Sequence, residues 1–547
     1  MRVFEVVIAL LLGGALLAAL ARRWGAPYPA LVALAGAALA LVPGAPTLVL
    51  DPELALALFV APVLLDAAFD SSPRDLRADW PTVAGLALGA VALTIAVAAV
   101  VARLLVPGMP WPAAVALGAI VAPPDAAAAT TVLKQLRPPH RLLVILEGES
   151  LFNDASALLV YRLAVGATMT GALAGWSVLP TLLVVTAGSV ALGLVLARVS
   201  LRLLSRISDV ATAVVFQFGL TFGVWILAEQ LRLSGIITMV VYAMSAARVA
   251  PQLVPARIRI PSYAVWEVAV FVLNVLAFVL VGFQLKSIGQ RASGATGARY
   301  AVIATLVCLA VIAARIVWVT GVAALSRWRP RPRPRPRRRD QRKEDSAPAR
   351  RDPVALDSRA AAVMGWCGMR GTVTLAAALA LPTGSGRTPA FPYRDLILVT
   401  AFGVVLGTLV LQGLTLRPLM LRLKLVDDDT VDREVRLARI ETLEAAVAAA
   451  STCPGADTAE LVRHRYELQL RRARGEVGAD GDGAAEAADV AVVRAATEAS
   501  RRRLVALRGD GTIGDAAFQR VETELDWAEL DWTQILGGGG EPPDRAG

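Results

Sequence analysis

Glu149, Ser150, Asn153 and Asp154 fall inside one nonapeptide, "EGESLFNDA", in the middle of a very apolar chain. On an α-helix Glu149 and Asn153 are four apart, and so are Ser150 and Asp154, so the four share one face about 140° wide. Leu151, Phe152 and Ala155 point elsewhere, and Tyr161 extends the polar stripe two turns on. The stripe offers carboxylate, hydroxyl and amide oxygens, the ligand types that a hard cation takes. A polar seam between two helices is the plainer explanation, but this many ionisable and amide groups within eight residues exceed what a seam needs. The chemistry such a stripe suits is binding of a small cation at a carboxylate that can otherwise hold a proton.

Two further segments place charge deep in apolar sequence, where each buried charge costs roughly 2.5–3.5 kcal/mol on insertion scales. In "GAIVAPPDAAAATTVL", residues 118–133, Pro123 and Pro124 stand before Asp125. Two prolines remove two backbone donors and forbid a continuous helix, leaving carbonyls free beside a carboxylate. Broken helices survive in membranes where they line a cavity or pack inside protein. Asp125 can also cap the second half-helix. In "GWCGMRGTVTLAAALALP", residues 365–382, Arg370 lies between Gly368 and Gly371, too deep for its guanidinium to snorkel to the interface. A buried arginine needs a partner, and Glu149 is the expected one, leaving Asp154 free for exchange. Glu267 and Asp66 also enter apolar runs and are candidates for an access path. His140 is expected to be a solvated loop histidine.

The elements that must position these groups follow from composition. The chain has 547 residues, 56% of them hydrophobic, against about 45–50% in soluble domains. Its mean hydropathy is +0.58. Thirteen apolar segments are long enough to cross hydrocarbon: 3–21, 28–44, 52–69, 82–105, 111–133, 142–166, 179–204, 209–229, 234–250, 263–285, 299–326, 358–382 and 394–422. Residues 3–21 are kept as a span because Glu5 interrupts the start and no cleavage site follows. The net charge of +10 is mostly arginine between spans. Arg22/Arg23, Arg74/Arg77, Lys134/Arg137/Arg141, Arg202/Arg206, Arg248/Arg257/Arg259 and Arg327–Arg351 fall in alternate loops, which the positive-inside rule assigns to the cytoplasm. The N-terminus is then outside, the C-terminus inside, and the whole an all-α polytopic protein of the cell (inner) membrane. Cys308, Cys367 and Cys453 are too scattered for a disulfide framework or metal knuckle, and no cofactor is expected.

The transmembrane domain is expected over 1–424 and a helical cytoplasmic tail over 425–547, with helical patterns near 430–450, 456–474, 487–507 and 515–534 and a disordered end. The Pro/Arg stretch at 327–354 is expected to be a disordered cytoplasmic loop touching anionic lipid rather than nucleic acid.

"APPDAAAAT", "EGESLFNDA" and the downstream "MRGTVTLAAALALP" together resemble the sodium/proton exchanger family of cation:proton antiporters, in its bacterial NhaP-type branch, over residues 5–422. The resemblance implies thirteen spans, an inverted-repeat core with two broken crossing helices, and a homodimer that moves its cargo in an elevator-like way. It implies that Asp154 binds the ion or the proton, that Asn153 completes an Asn-Asp pair, that Ser150 is a ligand, that Glu149 and Arg370 form a structural ion pair, and that Asp125 is the acid of the broken helix. One departure is Pro124, where the family often has threonine, so no side-chain hydroxyl is available there. The expected function is electroneutral exchange of sodium, or another monovalent cation, for protons. Potassium/proton exchange by the same build is the alternative. A cation channel lacks a recognisable filter, and an intramembrane acid-pair enzyme lacks its accompanying motifs.

Overall fold

A computed structural model describes residues 2–24, 28–40, 56–125, 138–171, 178–291, 294–328, 358–384, 389–425, 430–452 and 457–474, with single positions in 129–136 and 498–527. Every regular element among the described residues is helical. The chain divides into two compact units, Met1–Asp428 and Asp429–Gly547. The expected Pro/Arg loop falls largely outside the described residues, as do most of the patterns beyond 474.

In the first unit, α1 (Arg2–Trp24) and α2 (Tyr28–Ala40) are followed by a π-helical turn, Leu56–Val60, that runs into α3 (Ala61–Asp70). The short α4 (Pro73–Ala78) has Ser72 as its N-cap, accepting from the Asp75 amide at 3.3 Å. Helix α5 (Trp80–Ala84), a second π turn (Gly85–Ala90) and α6 (Val91–Leu105) make one apolar rod. A π turn disturbs the regular carbonyl ladder. Here side chains take up the carbonyls: Trp318 donates to Gly85 at 3.0 Å and Ser156 to Ala87 at 2.8 Å.

Helix α7 (Trp111–Val121) ends where Pro123 and Pro124 make continuation impossible. The long helices α8 (His140–Thr170), α9 (Val178–Leu204), α10 (Val210–Gln230), α11 (Gly235–Leu253), α12 (Ala256–Arg291) and α13 (Gly294–Trp328) follow. Then α14 (Ser358–Trp366), a non-helical stretch and α15 (Thr372–Leu379) form a second broken helix, before α16 (Arg394–Leu423). The expected span 111–133 is thus interrupted at the prolines that signalled it, and 358–382 is interrupted between Trp366 and Thr372. Helices α8 and α12 outrun their expected spans at both ends.

Seven helices among the described residues are long and apolar enough to cross a membrane, and α1, α2 and α7 hold shorter apolar stretches. Helix α8 has 31 residues but carries Arg141, Glu147, Glu149, Asp154 and Arg162, a composition tolerable in a membrane only inside a bundle. Alanines dominate the contacts: Ala98, Ala99 and Ala102 of α6 and Ala113, Ala114 and Ala116 of α7 are buried together. Side chains this small let helix backbones approach closely, which in lipid replaces the hydrophobic drive available in water. One core joins α6, α7, α8, α13, α15 and α16. A separate core joins α3, α9, α10 and α11. The start of α8 is fastened to α4 by Arg141, which reaches Asp79 at 2.6 Å, and His140 lies 3.4 Å from Asp75 rather than standing free in solvent.

The second unit contains α17 (Thr430–Thr452) and α18 (Asp457–Arg474), packed on one another and joined by an ion pair of 2.6 Å between Arg474 and Glu444.

Candidate functional site

The two interruptions meet. The Asp125 amide donates to the Met369 carbonyl at 2.7 Å, so the non-helical stretch after α7 lies against the non-helical stretch between α14 and α15. A β-carbon on residue 371 would overlap the Asp125 carboxylate, so glycine is required there for the two backbones to come this close. Gly368 makes similar room for the Arg315 side chain.

Helix α8 crosses this junction with the expected face inward. Asn153 is fully buried and Asp154 is 7% exposed. The Asn153 amide donates to the Pro124 carbonyl at 2.8 Å, in the non-helical stretch that follows α7. Its own oxygen, Asn153 Oδ1, is buried with no partner among the described residues. Asn153 therefore ties α8 to the first break while presenting an acceptor to the interior.

The expected pairing of Glu149 with Arg370 is not what forms. Glu149 is held by Arg315 of α13, with two N–H donors at 2.5 and 2.8 Å from its oxygens. Both side chains are almost wholly enclosed. Arg315 also donates to the Met364 carbonyl at 3.2 Å. Arg370, equally buried, donates to the carbonyls of Val121 at 2.9 Å and Ala122 at 3.2 Å, and to that of Gly368. Its backbone N–H is taken by Thr408 Oγ1 at 3.0 Å. The physical reason lies in the break itself. The last carbonyls of α7 have no intrahelical donor and carry the negative end of its dipole, which a five-donor cation satisfies. Arg370 thus acts as a cap on α7, a role that a search for a carboxylate partner does not find. Arg315 went unnoticed although it shows the signal that singled out Arg370, an arginine deep in an apolar run.

Asp154, Asp125 and Ser150 line one cavity of about 140 Å³, together with Thr130, Thr374 and Asn274. Asp66, Asp70 and Glu147 line it as well. Glu149 and Arg370 are absent from that lining, and so is Asn153, which was expected among the ion-binding residues. A second cavity of about 750 Å³ shares Asp66, Asp70 and Val270 with the first. Its walls come from α3, α9, α10, α11 and α12 and include Arg259 and Glu267. Of the two residues expected on an access path, Asp66 lines both cavities and Glu267 only the wider one.

The lining is rich in oxygen donors. Carboxylate, hydroxyl and carbonyl oxygens converge at a small enclosed volume, and the arginines nearby are already occupied. A carboxylate as enclosed as Asp154 is costly to leave charged and alone, so it calls for a proton or a cation.

Comparisons with known proteins agree. Residues 7–422 match the model of a family described as sodium/hydrogen exchanger, transmembrane. The chain is 30% identical over 538 residues to an uncharacterized Na(+)/H(+) exchanger of Mycobacterium tuberculosis strain H37Rv, covering 96% of this chain and 95% of that protein. It is also 30% identical over 476 residues to a sodium, potassium, lithium and rubidium/H(+) antiporter of Bacillus pumilus, covering 82% of this chain and 66% of that one. In fold it is similar to the sodium proton antiporter MjNhaP1 of Methanocaldococcus jannaschii, with a TM-score of 0.58, 17% identity, and coverage of 77% of this chain and 99% of that one. The chain therefore belongs to the sodium/hydrogen exchanger family, integral membrane transporters that exchange monovalent cations for protons.

Proposed function

We infer that this protein exchanges sodium, or another monovalent cation, for protons at Asp154, one ion for one proton. The observation that carries this is the enclosure of Asp154 at the junction of two broken helices, beside a cavity walled by oxygen ligands. Asp125 lines the same cavity, but its carboxylate is packed against Gly371 at the start of α15, where the positive end of that helix dipole favours a fixed negative charge. Asp154 is then the carboxylate left to alternate between cation and proton. Asn153, neutral and tied to Pro124, adds no second titrating acid, which supports an electroneutral ratio.

The wider cavity is the route to Asp154. The basic loops flanking it, around Arg202 and Arg257, belong to the cytoplasmic side under the positive-inside rule, which makes this an inward-open arrangement in the cell membrane with the C-terminus inside. The Bacillus relative's name carries potassium, lithium and rubidium beside sodium, which favours broad selectivity as the second form of the same function. Assembly as a homodimer belongs to the same proposal.

The test is proton movement in proteoliposomes, followed with a pH-sensitive dye as sodium, potassium and lithium are added in turn across pH 6–9. The wild-type chain responds to at least one cation, and Asp154→Asn, still inserted and monodisperse, responds to none. Silence of the wild type to every cation removes antiport. Residual cation-dependent proton movement in Asp154→Asn removes the assignment to Asp154.

A further inference from the structure

Many threonine hydroxyls among the described residues bond back within their own helix. Thr94, Thr168, Thr221, Thr305 and Thr408 each donate to the carbonyl four residues earlier, at 2.7–2.9 Å. The habit suits a membrane interior, since it satisfies the hydroxyl within its own helix.

Thr374 breaks it. It is buried, 1% exposed, yet its Oγ1 has no hydrogen-bond partner among the described residues. The cause is its position. It is the third residue of α15, so the carbonyl four residues back belongs to Arg370, in the non-helical stretch before the helix begins. Gly371 between them is extended, with φ −121° and ψ −153°. The carbonyl that would take this hydroxyl in a continuous helix is out of line. A buried hydroxyl without a partner is costly, so a compensating interaction is expected in some state of the working protein.

Thr374 also helps to wall the 140 Å³ cavity, the one that Asp154, Asp125 and Ser150 line. An uncompensated oxygen beside carboxylates and a hydroxyl is what a partly dehydrated monovalent cation requires. We propose that the Thr374 hydroxyl is a ligand of the transported cation, so that the bound ion bridges α8 and the second broken helix. The assignment rests on Asp154 being the exchanging carboxylate and adds a specificity-determining ligand to it. It also gives the break before α15 a chemical purpose: interrupting the helix is what releases this hydroxyl from its ordinary internal bond.

The experiment measures exchange rate against cation concentration for the full chain in proteoliposomes. Thr374→Val keeps the shape of threonine and removes the oxygen's capacity to bind. It should raise the half-saturating sodium concentration about five- to tenfold, the worth of one lost polar interaction, with the maximal rate within about twofold of wild type. It should also change the ratio of lithium, sodium and potassium affinities. Thr374→Ser should restore both, and Thr94→Val, which removes a hydroxyl bonded inside α6, should alter neither. If Thr374→Val elutes as aggregate, Thr374→Ala carries the same expectation. Unchanged half-saturation and unchanged selectivity in the folded variant overturn the proposal. So does a fall in maximal rate alone that serine does not restore, since that is the mark of packing. Exchange persisting in Asp154→Asn instead removes the underlying assignment, and the two failures are read from different variants.

Discussion

Replacing Glu149 by glutamine should be among the most damaging single changes away from the ion cavity. Arg315 is 2% exposed, and the guanidinium faces the Glu149 carboxylate through two bonds of 2.5 and 2.8 Å. Removing one partner of a buried ion pair leaves the other charge uncompensated, at a cost of about 3–5 kcal/mol. Glutamine retains one acceptor oxygen, which puts Glu149→Gln near the lower end, about 3 kcal/mol, and Glu149→Ala near the upper. Only the Met364 carbonyl, at 3.2 Å, would remain as a second acceptor for Arg315. Making both positions neutral, as in Glu149→Gln with Arg315→Met, should recover a large part of the loss, so the double-mutant coupling should reach at least about 2 kcal/mol. The assay is reversible unfolding in mixed detergent micelles, with the parallel cycle of Glu149→Gln and Arg370→Met as comparison. A Glu149→Gln variant within about 1 kcal/mol of wild type would refute the reasoning. So would a coupling to Arg370 larger than the coupling to Arg315.

Two further outcomes are expected. Gly371→Ala sets a methyl group where the Asp125 carboxylate lies, and overpacking at such a contact costs about 1–3 kcal/mol; the variant should lose most of its exchange activity in proteoliposomes, and wild-type rates would show that the junction is looser than described. Imposing a membrane potential with a gradient of a permeant anion, so that no candidate substrate cation is introduced, should leave the sodium-driven rate unchanged, and a clear acceleration would exclude the one-for-one ratio.

What was legible in the sequence and what was not divides along a physical line. The polar face of α8 and the stop at Pro123 and Pro124 are local properties, carried by spacing and by backbone chemistry, and they could be read residue by residue. The partner of Glu149 could not, because Arg315 lies 166 residues away and only packing brings them together. Arg370 misled for a related reason. Its demand for a counter-charge was correctly felt, but the counter-charge is the end of a helix, a property of the break in α7 rather than of any acidic residue. The π turn at Gly85–Ala90 was equally hidden, since its carbonyls are taken up by Ser156 and Trp318 from distant helices. Thr374 looked like one more small residue in an alanine-rich segment, and its significance depends on where α15 starts.

The mutual fastening of the two breaks has a mechanical consequence. Asp125 N–H to Met369, Asn153 to Pro124, and Arg370 to Val121 and Ala122 stitch three separate stretches of chain together at one point. Prising that point open would cost about 1 kcal/mol for each neutral stitch and about 1.5–3 for each made by the guanidinium, all without water to compensate. The junction is a poor place for a gate. It behaves as a rivet, so α8 and the two broken helices are expected to move as one body in any conformational change.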